Sequence, residues 1–99
     1  MALAKKGSRS ILVDEVQYRW KARSEPDGTT HVVVELYDTP QQSVVAFFQS
    51  TLPNNPEERR AITPATVSAI VTYALENGWN PEKKAKQLNV GFLDDKITV

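Results

Sequence analysis

Ile62-Thr63-Pro64-Ala65-Thr66-Val67-Ser68-Ala69-Ile70-Val71-Thr72-Tyr73-Ala74-Leu75-Glu76-Asn77-Gly78-Trp79 reads as one complete helix with both ends marked. The Thr63 hydroxyl can accept a free backbone N–H of the first turn. Pro64 suits the first helical position, where a missing N–H costs nothing. Ile62 and Val67 have the spacing of a hydrophobic staple. Gly78 can take the left-handed conformation that closes a helix, with Trp79 folding back on the last turn. The helix therefore spans about 64–77. Val67, Ile70, Val71, Ala74 and Leu75 form one apolar stripe. That stripe needs a platform, and the preceding residues supply one.

Residues 16–24 alternate with a period of two, the pattern of a half-buried strand. Val16, Tyr18, Trp20 and Ala22 point one way; Gln17, Arg19, Lys21 and Arg23 point the other. Glu25-Pro26-Asp27-Gly28-Thr29 is a turn, with Pro26 presetting its first corner and Gly28 suited to the left-handed position of a three-residue hairpin loop. This loop sets Ala22 against Val32, Trp20 against Val34, Tyr18 against Leu36 and Arg19 against Glu35. A two-residue Asp27-Gly28 loop would put Arg23 opposite Val32, so the hydrophobic pattern selects the longer loop.

Working outward, residues 9–13 read as a first strand ending in a tight Asp14-Glu15 turn, 30–37 as the third strand and 43–50 as a fourth. Both faces of the fourth are apolar through Val44–Phe48, so it is either central or covered. Leu52 to Ala61 reads as a loop. Asn80-Pro81-Glu82 either starts a short helix or crosses irregularly, and Val90–Leu93 and Ile97–Val99 either pack or add a strand. The expectation is a two-layer α+β domain over 9–99, with about four antiparallel strands under one helix, and a mobile leader over 1–8.

The chain has 99 residues, no cysteine and a formal net charge of zero. The absence of cysteine removes disulfides, thiolate metal sites and thiol nucleophiles, and it suits a cytoplasmic protein. No apolar run is long enough to span a membrane. Charge is nonetheless uneven. Residues 1–23 carry six cations against two carboxylates, and residues 24–62 carry two cations against six carboxylates.

Three islands carry a resemblance. Val13-Asp14-x-Val16-x-Tyr18-Arg19-Trp20, Ile62-Thr63-Pro64-x-x-Val67 and Ala74-Leu75-x-x-Gly78-Trp79-x-Pro81 resemble a group of small uncharacterised bacterial proteins. The resemblance implies the two-layer fold and a bacterial cytoplasmic setting, and it brings no catalytic residue. The chain departs from that group in having Asp14-Glu15 where the group has Asp-Gly. Phe92 corresponds to its aromatic-rich short strand.

Little in the sequence points to catalysis. His31 is the only histidine and stands near the hairpin end beside Arg23. A general base there would need a partner and a pocket. Asp94-Asp95 and Glu57-Glu58 are adjacent pairs whose side chains diverge, so neither a metal nor a cofactor is expected. No glycine-rich phosphate loop or nucleophile-elbow context occurs.

Two surfaces stand out instead. On the outer sheet face, Arg19, Lys21 and Arg23 form a basic ladder beside Val33, Tyr37 and Phe47. The outward side of the helix, including Ala69 and Tyr73, is small or uncharged where a solvated helix usually carries Lys and Glu. Such patches mark interaction surfaces, unless the C-terminal tail with Leu88, Val90, Phe92, Leu93 and Ile97 covers one of them. The sequence therefore points to a non-catalytic protein-interaction module of the adaptor, inhibitor or immunity type, with a protein partner or a second copy as its ligand. The alternative is a sheet that binds single-stranded nucleic acid through its basic ladder and aromatics.

Overall fold

The computed structural model describes residues 8–49, 51–52, 55–59 and 62–97. The leader read over 1–8 lies outside them except for Ser8, and so does Ser50 at the end of the fourth expected strand. The chain runs β1 (Arg9–Val13), β2 (Val16–Ser24), β3 (Thr29–Leu36), β4 (Val44–Gln49), β5 (Thr51–Leu52), β6 (Asn55–Arg59), α1 (Pro64–Glu76) and β7 (Leu88–Phe92). One helix packs on a five-stranded mixed sheet ordered β1-β2-β3-β4-β7.

The hairpin chemistry fixes the register. At the β2–β3 turn, the Glu25 N–H donates to the Thr29 carbonyl at 2.8 Å and the Gly28 N–H to the Glu25 carbonyl at 3.1 Å. Gly28 has φ +89°, which an L side chain rarely adopts. The pairs Ala22–Val32, Trp20–Val34, Tyr18–Leu36 and Arg19–Glu35 all form as the loop length predicts. At the β1–β2 turn, Val13 faces Val16 across Asp14 and Glu15, whose φ values are both positive. That is the mirror-image two-residue turn favoured in hairpins.

The helix ends are built as their residues suggest. Thr63 accepts the Thr66 N–H at 3.3 Å, and the Thr66 hydroxyl accepts the Thr63 N–H at 3.3 Å, a reciprocal cap. Gly78 has φ +98°, and the Trp79 N–H returns to the Ala74 carbonyl at 2.9 Å. Val67, Ile70, Val71 and Ala74 are fully buried against Trp20, Val32, Val34, Val44, Ala46 and Phe48. Leu75 departs from the expected stripe. It lies at the margin of the buried face and is 44% exposed.

The later elements correct the four-stranded antiparallel expectation. β7 adds a fifth strand parallel to β4, so α1 lies within the crossover between two parallel neighbours. The Leu88 N–H donates to the Ser43 carbonyl at 2.9 Å and the Leu93 N–H to the Phe47 carbonyl at 3.0 Å. β4 is thus an interior strand, which explains its apolar faces. Residues 80–87 form a turn, a bend and irregular chain rather than a second helix. Gln42 clamps this crossing. Its carbonyl accepts the Trp79 indole N–H at 2.8 Å, its Oε1 accepts the Asn80 N–H at 3.0 Å, and its Nε2 donates to the Lys86 carbonyl at 2.9 Å. Within the expected loop over 52–61, Leu52 and β6 belong to a small ribbon in which β5 pairs with β6, and residues 53, 54, 60 and 61 lie outside the described residues. No apolar alternation marks Asn55-Pro56-Glu57-Glu58-Arg59, so periodicity could not reveal it.

Candidate interaction surfaces

The outer sheet face is the side turned away from α1. Alternation puts Arg19, Lys21 and Arg23 of β2 on this face, and the register sets them opposite Glu35, Val33 and His31. Val33 and His31 in turn oppose Val45 and Phe47. Phe47 then meets Phe92 of β7. One row of rings results, with His31 and Phe47 centroids 4.4 Å apart and Phe47 and Phe92 centroids 5.6 Å apart. Phe92 is 46% exposed.

The basic ladder is less available than alternation implies. Arg19 is only 7% exposed and Glu35 is fully buried. The Arg19 guanidinium lies over the Tyr37 ring, 4.6 Å from its centroid, a favourable cation–π placement. Arg23 Nε is 3.2 Å from Glu25 Oε1. Lys21 is the exposed cation between them. The face thus joins Arg19, Lys21, Arg23, Val33, Tyr37 and Phe47 on one surface, with Arg19 as a packed residue within it.

The hairpin end holds a defined polar chain. The Thr29 hydroxyl donates to Asp27 Oδ1 at 2.6 Å, and the Thr29 N–H reaches the same oxygen at 3.1 Å. These bonds hold the Asp27 carboxyl below its ordinary value of 3.8. With its proton committed to Asp27, the Thr29 hydroxyl can only accept from His31 Nε2, 3.2 Å away. His31 Nδ1 then faces Glu25 Oε1 at 3.9 Å. His31 is thereby engaged by its own hairpin. Among the described residues, no group of three or more His, Cys, Asp or Glu side chains could hold a metal ion. Asp94 has a structural role, accepting the Gln49 N–H at 3.1 Å beyond the end of β7.

Ala69 and Tyr73 belong to a different surface, on the opposite layer of the domain. With Ala65, Thr72, Lys96 and Ile97 they line a groove of about 530 Å³. The tail covers this side only in part. Leu93 is fully buried in the core and Ile97 packs against its margin, but both Ala69 and Tyr73 keep exposed surface. A further cleft of about 280 Å³ was not evident beforehand. It lies where Val16, Leu36, Leu75 and Pro81 surround the Tyr18–Trp79 ring pair, whose centroids are 5.6 Å apart. Burial, followed by the Asp14 and Glu82 carboxylates, raises the Tyr18 phenol above 10.0. Leu75 at the stripe margin and Val16 at a strand start were the sequence signals for this cleft.

Among the described residues, no helix is long and apolar enough to cross a membrane. Compared with known proteins, the chain matches no family model, no curated protein and no solved structure.

Proposed function

We propose that the chain is a non-catalytic protein-interaction module of the adaptor, inhibitor or immunity type, working in the cytoplasm and binding its partner through the groove on α1. The observation that carries this reading is the character of the helix's outward side. Ala65, Ser68, Ala69, Thr72 and Tyr73 are uncharged, the first turn has no acidic residue and the last turn no basic one. A helix meant only for solvent gains from charges at all these places. The groove beside Ile97 supplies an apolar floor for an inserted side chain.

The test places a photo-crosslinking residue at Thr72 in cells that express the protein. The reading expects one discrete protein adduct, abolished by Ala69→Arg and by Tyr73→Glu. Absence of an adduct, or an adduct indifferent to both substitutions, removes the groove as the binding surface.

The His31–Phe47–Phe92 row favours a second reading, in which bases of a single strand stack on these rings beside Lys21. It expects salt-sensitive binding of an oligonucleotide that Lys21→Glu and Phe92→Ala both weaken. An unchanged fluorescence anisotropy at low salt rejects it.

A further inference from the structure

The two margins of the five-stranded sheet are built differently. At β7 the pairing with β4 shifts register between Val45 and Phe47, and Gly91 sits at φ +74° with its N–H turned to Asn89 Oδ1 at 2.8 Å. Such irregularity discourages another strand from adding there. At β1 the run Arg9-Ser10-Ile11-Leu12-Val13 pairs continuously with β2 and contains no proline, lysine, glycine or bulge. Leu12 is 68% exposed.

We propose that two copies of the chain associate through β1, strand to strand and antiparallel about Ile11, to form one continuous ten-stranded sheet. This interface is separate from the α1 groove and does not depend on it.

The hydrogen-bond parity supports that pairing. Val13 and Val16 flank a two-residue turn, so they form a doubly bonded pair, and Ile11–Tyr18 and Arg9–Trp20 repeat it. The alternate residues, Ser10 and Leu12, send their N–H and C=O groups out of the margin, where no other strand among the described residues pairs with β1. The parity is corroborated one strand inward. Gln17, the partner of Leu12, gives its carbonyl to the Tyr37 N–H at 3.1 Å and therefore bonds away from β1. An antiparallel pairing about Ile11 sets Ser10 opposite the second copy's Leu12. All four outward groups on each strand then find partners, and the two Ile11 residues meet at the axis.

Charge selects a second copy as the occupant. The margin is basic at its start, with Arg9, and acidic at its end, with Asp14 and Glu15. Antiparallel self-pairing brings the Arg9 end of each copy beside the Asp14–Glu15 turn of the other. A parallel pairing would put like charges together. The margin is therefore complementary to itself.

The interface is short, so association is sought by sedimentation velocity from roughly 10 µM to 1 mM, alongside amide exchange by NMR. The expected result is a concentration-dependent dimer in which the Ser10 and Leu12 amides slow by at least about tenfold as it forms. In the monomer the Arg9, Ile11 and Val13 amides are already bonded to β2. Ser10→Pro removes an outward N–H while sparing the β1–β2 bonds, and Leu12→Lys places a cation on the margin. Both are expected to stay monomeric over the whole range, with native circular dichroism.

A chain that remains monomeric at the highest concentration overturns the proposal. So does a dimer whose Ser10 and Leu12 amides exchange as freely as in the monomer. A dimer that survives Leu12→Lys but is lost with Tyr73→Glu assigns association to the α1 groove instead. If Ser10→Pro fails to fold, Leu12→Lys and the exchange data on the native chain decide the matter.

Discussion

Replacing Glu15 with glycine should stabilise the domain. Asp14 and Glu15 have φ values of +49° and +68°, so two L residues with side chains occupy the left-handed region in succession. Aspartate is among the residues that tolerate this region, whereas glutamate has no short polar group to satisfy itself there. The left-handed conformation costs an ordinary L residue roughly 1–2 kcal/mol. Glycine removes that cost but gives the unfolded chain more freedom, an offset of roughly 0.5–1 kcal/mol. The net gain is about 0.5–1 kcal/mol. For a domain of this size that corresponds to a rise in Tm of about 2–8 °C. Glu15→Ala is the control, since it removes the carboxylate while keeping the Cβ that is strained. Thermal and urea denaturation should be run at low concentration, so that association through β1 does not contribute. If Glu15→Gly is no more stable than Glu15→Ala, the turn does not hold the strain its backbone angles imply.

Two further outcomes follow from the outer sheet face and the hairpin end. Arg19 and Glu35 are buried and opposite each other, so Glu35→Leu alone should cost on the order of 3–5 kcal/mol by stranding a buried cation, and Arg19→Met/Glu35→Leu should recover most of it; urea denaturation of Glu35→Leu, Arg19→Met and the double variant checks this, and a double variant as unstable as the sum of the two singles refutes it. Asp27 titrates below its ordinary value because its carboxylate accepts from Thr29, so its contribution to stability is present above the unfolded value near 3.8 and is lost as pH falls through the lower folded value. Thr29→Val should move the Asp27 midpoint upward in an NMR titration, and an unmoved midpoint would show that the hydroxyl bond is not the cause.

What was legible in the sequence was local. Pro26-Asp27-Gly28 fixed a loop length, and that length fixed every pair along β2 and β3. Thr63, Pro64, Gly78 and Trp79 marked α1 within a residue, because caps are short-range chemistry. β7 was not legible in the same way. Its pairing with β4 depends on the crossing from Trp79 to Leu88, which Gln42 holds from a distant part of the chain. The aromatic row on the outer face shared this dependence. The hairpin placed His31 beside Arg23, but its contact with Phe47 needs the β3–β4 register, and Phe92 joins them only once β7 is set beside β4. Alternation also gave Arg19 the correct face without showing its burial. Burial there comes from its neighbours, including the Tyr37 ring beneath the guanidinium, and not from the period of the strand.

The uneven charge of the first two thirds of the chain acquires a structural meaning through the same hairpin. A surplus of cations up to Arg23 and a surplus of carboxylates after it suggest a basic patch when the chain is read linearly. Folding β2 back on β3 superimposes the two segments. Arg19 then stands opposite Glu35, and Arg23 meets Glu25 just before the turn. One cation of the first segment thus lies opposite a carboxylate across the ladder and another is ion-paired beside the turn, and the potential a nucleic acid would meet falls accordingly. Arg9 is placed differently. It lies at the open margin with its guanidinium 5.9 Å from the Trp20 ring centroid, at the opposite end of β1 from Asp14 and Glu15. Arg9 at one end of β1 and Asp14–Glu15 at the other give this sheet margin a polarity that a second copy of the same strand can satisfy.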